Sequence, residues 1–165
     1  MVAGNKLTNA VDPASAGETC EGELSELYLH DEVAWLEESA RRIHQGRTDE
    51  LDFPHLQEWL QDMALRERRE VRHRLIQLLV HLLKWYYQPE KRTRSWERTV
   101  FDQRLRLDGL FKESTVLRRH AEEVLADVYP TAVTKAAKET NLPCDTFPEK
   151  CPYTAEDLFK VEYPG

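Results

Sequence analysis

Glycine is scarce in this chain, 6 residues in 165, and nowhere do β-branched and polar residues alternate as a strand requires. Those two absences exclude a sheet-based fold and leave an all-α one. Cysteine is also sparse. Cys20, Cys144 and Cys151 are odd in number and too few for a secreted disulfide framework, so reduced thiols are expected, although Cys144 and Cys151 are spaced to allow one bridge. No N-terminal apolar segment with basic flanks is present, so neither a signal peptide nor an anchor is expected. No apolar run approaches the roughly 20 residues of a membrane span. The expected location is the cytoplasm. Catalytic signatures are missing too: there is no G-x-S-x-G, C-x-x-C, H-E-x-x-H or phosphate-binding glycine loop. No residue set proposes an enzyme, and no cofactor is expected.

What is present is charge, unevenly spread. The net charge is −7 and the pI about 5.4. Residues 66–106 nevertheless hold 12 Lys or Arg against 5 Asp or Glu, leaving 11 basic and 25 acidic residues elsewhere. Such asymmetry marks either a nucleic-acid face or a basic hairpin packed against acidic helices. The low pI and the lack of a Gly-rich basic tail favour the second.

The densest apolar run lies between Leu75 and Tyr87. On a helical wheel Val71, Leu75, Leu78, Leu79, Leu82 and Tyr86 form one stripe, and Ile76, Val80, Leu83 and Tyr87 a second beside it. Over half the circumference is apolar, so neighbours must pack on at least two sides. The rest is a polar lane: Glu70, Arg74, Gln77, His81, Lys84 and Gln88, with Trp85 at its edge. Pro89 stops the helix. This predicts a bundle of five to six helices around a central helix at about residues 67–88.

Around it, residues 1–26 are small and polar and read as a disordered leader; residues 27–163 read as one domain. Asp31 is a candidate N-cap for a helix with Val33, Leu36, Ala40 and Ile43 inward, Trp35 beside them and Gly46 as a left-handed stop. Asp52-Phe53-Pro54 starts another, with Leu56, Trp59, Leu60 and Met63 as its stripe. The pattern loses phase at residues 64–67, which predicts a bend or break. Ser95 is expected to cap a fourth helix and Ser114-Thr115 a fifth. Pro130 predicts a kink or fresh start within the fifth, Asn141 its end, and Thr154-x-x-Asp157 a short final helix after an extended, Pro-rich tail.

Several local runs together resemble a bacterial family of small helical proteins known as domain of unknown function number twenty-nine. They are Trp35-Leu36-Glu37-Glu38, Gly46, Leu51-Asp52, Glu67-Arg68-Arg69-Glu70, His81-Leu82-Leu83-Lys84-Trp85, Gln88-Pro89-Glu90, Ser95-Trp96, Tyr129-Pro130, Phe147-Pro148 and Cys151-Pro152. The most specific part is HLLKW…QPE…SW, and the likeness runs from about Leu27 to Tyr163. Ala64 stands where the family would carry glycine, which weakens the case for a sharp break there. The resemblance implies an all-α fold and a bacterial or cyanobacterial setting, and no catalytic role.

Two spacings invite chemistry. His55, Glu58 and Asp62, and again His120, Glu123 and Asp127, fall at i, i+3 and i+7, so each trio shares a helix face and would suit a carboxylate-bundle metal site. The first trio points away from its apolar stripe, towards water. The second is the better metal candidate, against the plain reading of surface pairs. The lane of Gln77, His81, Lys84 and Gln88 runs to a basic loop with Trp85 and Trp96 at either end and Lys91, Arg92, Arg94 and Arg98 between and beyond. Gln77, His81, Lys84, Trp85, Gln88, Arg94 and Trp96 are therefore the candidate ligand- or partner-binding set, against the alternative of ordinary packing and a solvated loop. The expected function is a non-enzymatic protein–protein interaction module. The alternatives are a metal- or small-ligand-binding bundle, and nucleic-acid or anion binding through residues 66–106. The expected partner is another protein, with a homo-oligomer allowed, no membrane, and nucleic acid less favoured.

Overall fold

Caps and prolines set the bounds of six helices among the described residues. A computed structural model of the chain describes residues 15–164, with side chains from residue 22 onward. The helices are α1 (Ser15–His30), α2 (Glu32–His44), α3 (Phe53–Tyr87), α4 (Arg94–Glu113), α5 (Thr115–Thr140) and α6 (Ala155–Phe159), with three single-turn 3-10 segments between them. No strand occurs among the described residues, so the fold is all-α as expected. None of the helices is long and apolar enough to cross a membrane. Helix α1 takes in residues 15–26 of the expected leader; residues 1–14 lie outside the described residues.

Helix α3 corrects the expected break. It runs unbroken for 35 residues, about 52 Å at 1.5 Å per residue. The loss of apolar phase at residues 64–67 costs nothing, because Ala, Leu, Arg and Glu are strong helix formers and these positions are exposed. Two compact units meet within this helix in sequence, the first ending at Asp62 and the second starting at Met63.

In the first unit the core is small and aromatic. Leu24, Trp35 and Leu51 are buried, and the rings of Tyr28 and Trp35 meet edge-on at 4.9 Å. Polar clasps close it. Buried Asp52 accepts from Ser25 Oγ and pairs with His55 Nδ1, both at 2.6 Å. Asp52 also accepts from the His55 backbone N–H, so it caps α3 as the sequence predicts. Asp31 caps α2 by accepting from Ala34 N, and Gly46 after it takes φ +73°, a conformation that favours glycine.

In the second unit, the α3 stripe does what the wheel demands. Val71, Leu75, Leu78, Leu79, Val80, Leu82 and Leu83 are essentially inaccessible, packed with Val100 and Leu107 of α4 and Ala121, Val128, Ala132 and Ala136 of α5. Each such leucine contributes roughly 1.5–3 kcal/mol of hydrophobic burial. Tyr86 departs from its stripe: it is 47% exposed near the helix end. Thr93, not Ser95, caps α4, accepting from Trp96 N. Ser114 ends α4 and caps α5. Pro130 neither ends nor restarts α5; it lies on an exposed face with Ala126, whose carbonyl loses the helical donor that proline lacks. Asn141 stops α5 at φ 58°, and Thr154 with Asp157 forms the expected capping box.

The tail is tied down by one buried cation. Arg104 of α4 donates to the carbonyls of Leu158, Asp157 and Glu162 at 3.2, 3.1 and 2.7 Å, covering the carbonyl end of α6. Tyr129 donates to the Pro148 carbonyl at 2.9 Å. Cys144 and Cys151 are free thiols.

Candidate functional site

The polar lane of α3 meets the last turn of α5. Lys84, though buried, reaches Glu139 Oε2 at 2.7 Å and lies 4.5 Å over the Trp96 ring. Gln88, also buried, donates to the Thr140 carbonyl at 2.9 Å. That carbonyl belongs to the last turn of α5, where the helix leaves acceptors without internal partners. Arg92 folds back to donate to the Trp85 carbonyl at 2.9 Å and stacks over the Trp85 ring. The structure therefore brings Lys84, Gln88 and Trp96 together, with Trp85 held by Arg92. Gln77 is half-buried further back along α3. Arg94 stands elsewhere, beside a depression shared with Arg98, Phe101 and Tyr163.

His81 sits in the lane with Nδ1 buried and no hydrogen-bond partner. Burial pushes its pKa below the usual histidine value, Lys84 lowers it further, and Glu139 opposes both. The polar groups next to it are already taken up by one another. The lane binds helix to helix.

The second trio, His120, Glu123 and Asp127, is not gathered into a cluster. Among the described residues no three His, Cys, Asp or Glu side chains are grouped so that they could hold a metal ion. Glu123 and Asp127 are exposed, while His120 is half-buried. Its Nε2 is buried without a partner, and burial, then Arg68 and Arg72, lower its pKa against the pull of Glu123. The first trio separates as well: His55 pairs with Asp52, and Glu58 and Asp62 face water.

The basic segment is partly neutralised. Arg74 pairs with Glu70, Lys84 with Glu139 and Arg98 with Asp102, and Arg104 is buried under the tail.

The feature that sequence reasoning missed lies on α2. Val33, Leu36, Ala40 and Ile43 were expected to point inward. Instead Val33 is 64% and Ile43 49% exposed, Ala40 is exposed and Leu36 is half-buried. The inward face carries Trp35, Ser39 and Arg42. At 100° per residue this is a rotation of about a third of a turn. Its cause is twofold. Trp35 has more apolar surface to bury than any stripe residue, and it packs against Tyr28 and, at 6.5 Å, Trp59. Arg42 is satisfied inside by Glu38 at 2.7 Å and by the Glu50 carbonyl at 2.7 Å. Arg41 and then Arg42 hold the Glu38 carboxyl down to about 2. Beside the stripe, Glu37 and His44 are exposed. The signal available in the sequence was Trp35 and Arg42 sharing a face, which the apolar periodicity outvoted.

The model of the family described as Domain of unknown function DUF29 matches residues 27–164, so the chain belongs to that family. No curated protein and no solved structure matches it.

Proposed function

We propose that this member of the DUF29 family is a non-enzymatic protein-interaction module whose contact surface is the outward stripe of α2. One observation carries the reading: along an i, i+3, i+7, i+10 apolar stripe Val33, Ala40 and Ile43 are exposed and Leu36 is half-buried, on a helix whose inward face already buries Trp35, Ser39 and Arg42. Contiguous apolar surface rimmed by charge is what protein partners cover. The lane of α3 supports the same reading by contrast, since Lys84 and Gln88 are engaged in joining α3 to α4 and α5.

The test is affinity capture from lysate of the source cells, comparing the chain with its V33E/I43E variant. The wild type is expected to retain a partner that the variant loses. Capture of the same proteins by both contradicts the reading, as does capture of none by either together with a purified chain that stays monomeric at every concentration.

A further inference from the structure

We propose that the occupant of the α2 stripe is a second copy of this chain, paired antiparallel about a two-fold axis near Ala40. The proposal rests on the interaction reading above and deepens it. Charge complementarity selects the partner. On the wheel, Glu37, Arg41 and His44 share one flank of the stripe, with the carboxylate towards the N-terminal end and the basic groups towards the C-terminal end. A two-fold axis across the stripe turns the second helix end for end and sets like flank against like flank. Glu37 of each copy then meets the basic end of the other, twice per dimer. In a parallel pair this flank would meet the opposite one, which carries Glu32 and no cation.

The state of these groups in the single chain fits. Glu37 and His44 make no hydrogen bond or ion pair among the described residues, whereas Arg41 is already held by Glu38 at 2.6 Å. Ala40 at the crossing point lets two helices approach closely, with Leu36 and Ile43 packing on either side. A contact made by one helix of 13 residues is small against the roughly 1,200–2,000 Å² of a stable interface. The dimer is therefore weak and depends on concentration.

Sedimentation velocity of the purified full chain across a wide concentration range tests this, with each variant first checked by circular dichroism and thermal melting. The wild type is expected to shift from monomer to dimer. I43E raises the dimer Kd by about tenfold or more, because it buries an unpaired carboxylate. E37K and H44E each raise it by about two- to fivefold, as a rim charge does, and E37K/H44E together return it to within about twofold of wild type. A wild type that stays monomeric throughout, an I43E variant that dimerises as well as wild type, or a double variant no better than its singles overturns the proposal. A monomeric wild type whose stripe variant still loses a captured partner removes the second copy and leaves the interaction reading standing.

Discussion

Arg104 shows how one side chain can set the course of a segment. Its guanidinium is buried, and burial lowers its pKa, yet three carbonyls of the tail meet its donors. A planar fork spans three acceptors, and an ammonium does not. Arg104→Leu is expected to lower stability by about 2–4 kcal/mol, from lost charge-assisted hydrogen bonds and carbonyls left bare. Arg104→Lys is expected to recover little of that. Urea unfolding measures the loss, and limited proteolysis should show earlier cleavage beyond Leu142. Two half-buried histidines give a pH dependence. His81 and His120 both have pKa values lowered by burial. The unfolded chain therefore takes up their protons first on acidification. The stability they hold is fully present above the unfolded histidine value of about 6.5 and is lost as pH falls through it towards the lower folded values. Glu38 and Asp52, whose carboxyls are held low, act in a more acidic window. The urea midpoint should thus decline below pH 6.5, and His81→Gln with His120→Gln should flatten that decline. A midpoint as steep in the double variant as in wild type would refute the assignment.

At the scale of the helix, ends were legible and faces only in part. Asp31, Ser114 and the Thr154–Asp157 box all cap as their local sequence implies, because such capping involves a side chain and a backbone group three residues away, and Asn141 stops α5 through its own left-handed backbone. The miss at α4 is a choice between two good caps two residues apart. It yields a clean prediction: Thr93→Ala costs about 1 kcal/mol, and Ser95→Ala stays within about 0.5 kcal/mol of wild type. Denaturant unfolding of the two variants decides between them. The α3 stripe was legible because seven large apolar residues outweigh anything else on that helix. The α2 face was not, since its orientation depends on Tyr28, Trp59 and the Glu50 carbonyl, all outside the helix. The lane was legible as polar, but Glu139 and Thr140, over fifty residues on, were needed to see that it is a seam.

At the scale of the molecule, the proposed contact surface rests on the packing of α2, which turns Trp35 and Arg42 inward and leaves Val33 and Ile43 outside. The family assignment carries no activity, which is left to the geometry. The claim that matters most is that Val33 and Ile43 face outward. Urea unfolding of V33E/I43E, at a protein concentration low enough that self-association adds nothing to stability, tests it directly. An outward stripe predicts a midpoint stability within about 0.5 kcal/mol of wild type, as for other surface substitutions. An inward stripe predicts a loss of about 2 kcal/mol or more from buried unpaired carboxylates, and that result would contradict the account.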